Sequence, residues 1–246
     1  MVDSSLTTPV EAPRSNWLDL VLYLLVGFGV FLAAGFLLRG ILRQGTLADS
    51  ALIYSLNIIC FAGTVLVIGV SRGKLSLREI GFWPPRWKWV WLGLAVLAVA
   101  ILNPVRIGLA LVLEYLLTGS LNGLMQSARL QIFAPGGFSW GAFIVTLVMA
   151  GFLAPVSEEL FFRGALYTWF RQRTGLWVSI IASSVLFALG HADTFAVVIT
   201  SFILGAVNAL VFERTRSLWA SIAIHVVNNS LSVVLVYAAL AAGLTH

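Results

Sequence analysis

Charge is scarce in this chain of 246 residues: one residue in ten is Asp, Glu, Lys or Arg, where a soluble domain carries about a quarter. With a hydrophobic share of 60 %, that scarcity excludes a water-soluble globule with an ordinary polar surface. Cysteine is nearly absent. Cys60 alone, inside an apolar run, cannot form an internal disulfide and reads as a small buried residue. No serine or cysteine stands in a recognisable nucleophile setting, and both phosphate-cradling glycine patterns and HExxH are missing. Repeats, coiled-coil heptads and low-complexity tracts are also lacking. The formal charge of +5 is scattered over the loops between apolar runs. That pattern excludes nucleic acid as a partner and points to the lipid bilayer.

What is present is a succession of seven long apolar stretches, at 17–38, 51–70, 89–117, 138–157, 176–190, 195–212 and 218–240. They show no sustained alternation, and a membrane-spanning sheet would have to close into a barrel of alternating polarity. Helices satisfy their own backbone, so the expected fold is all-α: a polytopic transmembrane bundle of seven helices. The count rises to eight if the run around Pro104 divides. Residues 1–16 read as a flexible cytoplasmic tail, without the basic start and cleavage site of a signal peptide. Residues 17–246 form a single membrane domain.

Basic residues favour one set of loops: Arg72, Lys74, Arg78, Arg86 and Lys88 after the second run, Arg171 and Arg173 after the fourth, Arg214 and Arg216 after the sixth. The opposite side holds Arg39, Arg43 and Arg129, and a turn at Asp193 without Lys or Arg. The bias predicts a multi-pass protein of the plasma membrane with a cytoplasmic amino terminus. Arg106 and Glu114, eight residues apart, share a helical face. They are expected to pair or snorkel within the bundle, with substrate passage as the other reading. Trp83, Trp87 and Trp89 suit a headgroup layer, Pro84 and Pro85 a turn, and Gly205 a close helix contact. Segment 119–137 is a loop or a surface helix.

Against this background a few polar residues need a reason. Glu158 and Glu159 are adjacent at the end of the fourth run, and Arg163 follows Glu159 by one helical turn. Glu159 is therefore the paired carboxylate. Glu158, about 100° around the helix, is freer to act as a base. Phe187 and His191 end the fifth run. His225, Asn228 and Asn229 lie in the seventh, with His225 and Asn229 on one face. His246, at the last position, is expected in solvent. A carboxylate and an imidazole activate water for attack on a carbonyl, while a second imidazole and a carboxamide donate to the oxyanion. Zinc is the alternative, held by His191, His225 and Glu158 or Glu159. A non-catalytic membrane immunity or binding protein, and a transporter using the same residues as a proton path, are the other readings.

These motifs resemble the CPBP family of intramembrane endopeptidases, the CAAX protease and bacteriocin-processing group once called Abi proteins. Two glutamates with an arginine four beyond the second match Glu158, Glu159 and Arg163. Phenylalanine with histidine four later matches Phe187 and His191, and histidine with asparagine four later matches His225 and Asn229. The ordered set covers 138–235, and the first half of the chain contributes only helical character. The resemblance implies a glutamate-dependent peptidase without a cofactor, acting on a membrane-associated protein or peptide. Glu158 and His191 would activate the water, and His225 and Asn229 would form the oxyanion pair. Glu159, Arg163, Phe187 and Asn228 would support them. Whether the substrate is lipidated, and whether the protein is oligomeric, does not follow. One conflict arises: the seven-run topology sets Glu158 toward the basic side and His191 toward the far side, unless the helices are short or deeply set.

Overall fold

The computed structural model describes residues 15–38, 45–82, 88–125 and 132–243. These residues form seven main helices: α1 (Trp17–Leu38), α2 (Leu47–Val70), α3 (Lys88–Thr118), α4 (Trp140–Arg171), α5 (Leu176–Leu189), α6 (Phe195–Thr215) and α7 (Leu218–Ala241). No strand occurs among the described residues. Six of the helices are long and apolar enough to cross a membrane. Pro104 lies inside α3 without dividing it, so the described residues hold six such helices and the shorter apolar α5, not eight crossings. Asn122–Met125 adds one helical turn in the 119–137 connection. Residues 1–14, Arg39, Arg43, Trp83, Pro84, Pro85, Arg86, Trp87, Arg129 and His246 lie outside the described residues.

The outer surface explains the composition. Val90, Leu94, Leu97, Ile101, Val105 and Leu116 on α3 are all exposed, as are Leu25, Phe36 and Leu37 on α1. In water these would be a costly apolar surface; facing lipid tails they are matched. Trp89 is exposed at the start of α3, as expected of a residue at a membrane surface.

The start of α1, the loop after α2 and the end of α4 meet at one end of the bundle, where contacts tie them together. Asn16 caps α1 through a reciprocal pair of bonds with Asp19, while the Ser15 hydroxyl donates to Lys74 O at 3.0 Å. Asp19 faces Arg72 and Lys74 at 3.8 and 3.9 Å. Trp169 Nε1 donates to Asn16 O, and Arg173 lies over the Trp169 ring. Ser15 and Asn16 are therefore held by the loop after α2 and the end of α4. The fastening is chemical: α1 begins at a capping box, and its orphan N–H groups need those partners.

Helix length resolves the conflict over depth. The expected boundary near 157 placed the two glutamates at a helix end, whereas α4 continues to Arg171. Glu158 lies thirteen positions before that end, and His191 fifteen positions after the start of α5. At about 1.5 Å per residue, both are about 20 Å from the short α4–α5 turn. A helix of fourteen residues reaches only about 21 Å, short of a hydrocarbon core of about 30 Å. Thus α5 stops partway, and His191 meets Glu158 at the same level inside the bundle.

Small residues let α5 and α6 approach closely. Gly205 faces Ser184, and a Cβ built on it would lie 3.2 Å from Ser184 Cα. Ser179, Ser183 and Ala188 on α5, and Ala196, Ser201 and Ala209 on α6, are buried as well. This is the contact expected of Gly205. Between α4 and α7 a proline does related work. Pro155 has no N–H for the carbonyls about one turn before it. Ala150 O instead accepts from Asn229 Nδ2, and Gly151 O from Ser230 Oγ, each at 3.2 Å. Hydrogen bonds from α7 thus replace a missing helical donor and set the register of α4 against α7.

The loop after α2 docks on the turn joining α6 and α7. Gly81, at φ +70°, accepts from Leu218 N–H at 2.8 Å. A Cβ there would stand 2.8 Å from Arg216 O. Gly73 has a similar φ of +65° but open space around it. Gly73→Ala should cost only the left-handed backbone strain, about 1–2 kcal/mol. Gly81→Ala should cost about 3–4 kcal/mol, because overpacking adds to that strain. Thermal unfolding of both variants in nanodiscs checks the difference, and equal midpoints would contradict the docking.

Candidate active site

Two consecutive carboxylates on α4 point to different neighbours, and each has a distinct setting. Glu159 is fully buried, as is Arg163 one turn on. Its Oε1 accepts from Arg163 Nη1 at 3.1 Å, Asn208 Nδ2 at 3.0 Å and His225 Nδ1 at 2.9 Å. Arg163 Nη2 donates to Gly205 O at 2.7 Å, and the guanidinium lies 4.8 Å over the Phe187 ring. A buried charge pair survives desolvation only when further hydrogen bonds accompany it. Here α6 and α7 supply them.

Glu158 turns toward α2, α5 and α7. Oε1 accepts from Asn57 Nδ2 at 3.1 Å, and Ser157 Oγ lies 3.0 Å from Asn57 Oδ1. Oε2 stands 3.7 Å from His191 Nε2 and 3.7 Å from His225 Nε2. One carboxylate oxygen is thereby oriented by an amide, while the other faces two imidazoles.

Both rings are held by the opposite nitrogen. His191 Nδ1 is 2.8 Å from Phe187 O, a group that only accepts, so Nδ1 carries the hydrogen. Carboxylate Glu159 imposes the same on His225 Nδ1. In each ring Nε2 is then the nitrogen turned toward Glu158. Phe187 packs against the whole group, with ring centroids 4.4 Å from His191, 5.5 Å from His225 and 5.2 Å from Phe162. Its position in the motif follows from this. It positions one histidine with its carbonyl and covers both with its ring.

Asn229 lies one turn beyond His225 on α7. Its amide donates to Ala150 O and its Oδ1 accepts from Asn228 Nδ2 at 2.9 Å. Asn228 Oδ1 accepts from Arg106 Nη1 at 2.8 Å, and Arg106 Nε donates to Thr200 O at 2.9 Å. The expected pairing of Arg106 with Glu114 is replaced by these contacts. Glu114 is buried eight positions further along α3, with its carboxylate over Gly123.

The fold thus gathers Glu158, His191 and His225, with Glu159, Arg163 and Phe187 packed around them. Asn229 and Asn228 form an adjoining amide pair. Sequence reasoning passed over Asn57, Ser157 and Asn208, and it assigned Arg106 a different partner. Asn57 and Asn208 carried a usable signal: a carboxamide in an otherwise apolar membrane helix needs a partner in the bundle.

The same three atoms bear on the metal question. Glu158 Oε2 and the two Nε2 atoms form a His₂Glu donor set with both Nδ1 atoms anchored, the outer arrangement common to metal-bound histidines. Tetrahedral zinc places its ligand atoms about 3.3 Å apart, given bonds of about 2.0–2.1 Å. The separations here are wider, 3.7 Å, and no group of three or more His, Cys, Asp or Glu among the described residues is arranged to hold a metal ion.

Removing one partner of the buried pair has a definite cost. Arg163→Met leaves Glu159 ionised without its cation, and a loss of about 3–5 kcal/mol is expected. Chemical or thermal unfolding in nanodiscs measures it. Arg163→Met combined with Glu159→Gln should recover a large part of the loss, whereas equal losses in the single and double variants would contradict the pairing.

Comparison with known proteins agrees with this location. The family described as "Type II CAAX prenyl endopeptidase Rce1-like" matches residues 140–231, which begin with α4 and end in α7. A protein of Bacillus subtilis (strain 168) named "Putative membrane peptidase YdiL" is 25 % identical over 89 residues. That alignment covers 36 % of each protein, so the chain spans about a third of the length of the curated relative it matches. No solved structure matches the chain. The matched segment holds Glu158, His191, His225 and Asn229, and the likeness to the CAAX proteases rests on this segment.

Proposed function

We propose that this protein is an intramembrane endopeptidase that hydrolyses a peptide bond of a membrane-associated protein or peptide, using water activated by Glu158 and His191. The observation that carries the reading is the position of Glu158 Oε2, 3.7 Å from both Nε2 atoms. It sets one carboxylate oxygen against two imidazole nitrogens, the kinds of group that activate water and stabilise an oxyanion.

In this mechanism the water donates one hydrogen toward Glu158 Oε2 and the other toward His191 Nε2. Its oxygen attacks the carbonyl carbon of the scissile bond as one proton passes to this pair. The carbonyl oxygen becomes an oxyanion, which accepts from His225 Nε2 and an N–H of Asn229. Because His225 Nδ1 already donates to Glu159, donation from Nε2 requires the imidazolium form. The Glu159 carboxylate balances that charge. As the tetrahedral intermediate collapses, the carbon–nitrogen bond breaks and the stored proton goes to the leaving amine. Asn57 keeps Glu158 from turning away, through its bond to Oε1.

Nothing in this scheme needs a cofactor. Zinc held by His191, His225 and Glu158 would supply Lewis-acid polarisation of the carbonyl, but no metal-holding group of such side chains occurs among the described residues, and chelation tests that alternative. Basic residues at the end that holds the α1 start, the loop after α2 and the turns after α4 and α6 support a cytoplasmic amino terminus, in a plasma membrane.

Cleavage of a peptide library in nanodiscs tests the proposal with wild type, Glu158→Gln and His191→Ala, each with and without a strong chelator. Loss of a water-activating group should lower kcat about 10³-fold or more, and wild-type cleavage should survive chelation. Activity lost on chelation and restored by zinc would transfer the three residues to metal binding. Unchanged cleavage by both variants would overturn the proposal.

A further inference from the structure

We infer that Arg106, from outside the matched segment, is a positioning residue that fixes which end of the Asn229 amide faces the reacting carbonyl. The inference rests on the oxyanion role proposed for Asn229.

A carboxamide has one donating and one accepting end of nearly equal shape, so a lone asparagine is free to turn over. An oxyanion site cannot tolerate that freedom. The donating end stabilises developing negative charge, and the carbonyl end repels it. Some group of fixed polarity must select the orientation.

The structure contains a chain with such a group at each end. Arg106 can only donate, and its Nη1 donates to Asn228 Oδ1 at 2.8 Å. Asn228 therefore turns its Nδ2 to Asn229 Oδ1, at 2.9 Å. Asn229 in turn has its Nδ2 directed to Ala150 O, at 3.2 Å. That backbone carbonyl can only accept, and Pro155 withholds a helical donor from this part of α4. All three bonds run in one direction, from the guanidinium on α3 through α7 to α4. Turning over either amide would set like ends against each other at two contacts.

One N–H of Asn229 is used on Ala150 O, and the second belongs to the same end of the amide. It is this hydrogen that the oxyanion role requires. Asn229 follows His225 by one turn of α7, so the two donors share a helix face. Arg106 is itself anchored, since Nε donates to Thr200 O on α6 at 2.9 Å. A cation on a lipid-exposed helix such as α3 is costly unless it has a task inside the bundle. Setting the polarity of the amide pair is such a task, and it touches no substrate atom.

The experiment measures kcat and KM in nanodiscs on a quenched peptide that the wild type cleaves. It uses Arg106→Lys, Arg106→Met, Asn228→Asp, Asn229→Ala and the double variant Arg106→Met with Asn229→Ala. Loss of an oxyanion donor costs about 10²–10³ in kcat. Arg106→Met should lower kcat about tenfold or more with KM nearly unchanged, and Arg106→Lys should restore most of the loss. Asn228→Asp should be equally slow, because it still accepts from Arg106 but offers Asn229 an acceptor in place of a donor. If Arg106→Met fails to fold, Asn228→Asp carries the test, since the guanidinium then keeps a charged partner. The double variant should fall no further than Asn229→Ala alone. If Asn229→Ala is slow while Arg106→Met and Asn228→Asp retain wild-type kcat, the positioning role is overturned and the proposed mechanism stands. Losses that multiply in the double variant would also overturn it. Wild-type kcat in Asn229→Ala would remove the oxyanion role of Asn229, and this inference with it.

Discussion

A single carboxylate oxygen, Glu159 Oε1, receives Arg163, Asn208 and His225 from three different helices. Few groups could do this in so apolar a bundle. A buried anion is too costly to leave with one partner, and a carboxylate oxygen can accept several donors at once. Arg163 supplies the charge, while Asn208 and His225 bring α6 and α7 to α4. Once His225 donates through Nδ1, its Nε2 has only one direction in which to point. That direction is toward Glu158, the neighbour of Glu159 in the chain. The adjacency of the two glutamates is thus a geometric device: one organises the histidine that the other meets.

Depth is the second constraint. Glu158, His191 and His225 converge because α4 runs past the site, α5 stops short of a full crossing, and α7 carries its histidine seven residues beyond its start. Their meeting point lies inside the bundle, where water must be admitted rather than excluded. Each charged or amide group around it has hydrogen-bonded neighbours on another helix: Asn57 on α2, Arg106 on α3, Asn208 on α6. A mobile loop would hold such groups less exactly in place than these rigid helices do.

Much of this was legible in the residues before any fold was known. The apolar runs marked the helices, because a lipid-facing helix has no polar face to confuse the reading. Spacing of four residues was enough to pair Glu159 with Arg163 and to set Glu158 apart. Helix ends were less legible. The polar cluster at 158–163 imitates a boundary, and only the partners on α2, α5, α6 and α7 make it a helix interior. Arg106 was noticed as an oddity, but its partner is 122 positions away in the chain, and periodicity within one helix cannot reveal it. Asn57 and Asn208 were hidden for the same reason. Pro155 also gains its meaning only from α7, whose side chains bond the carbonyls beside it.

The claim on which the rest depends is that both histidines are anchored through Nδ1 and turn Nε2 to Glu158. Nitrogen-15 magnetic resonance of histidine-labelled protein in nanodiscs reads the protonation of each ring nitrogen directly. The account predicts a protonated Nδ1 on both His191 and His225, with the His225 signals alone strongly altered in Glu159→Gln. A hydrogen on Nε2 and none on Nδ1 in either ring, or a His225 spectrum indifferent to Glu159→Gln, would contradict it.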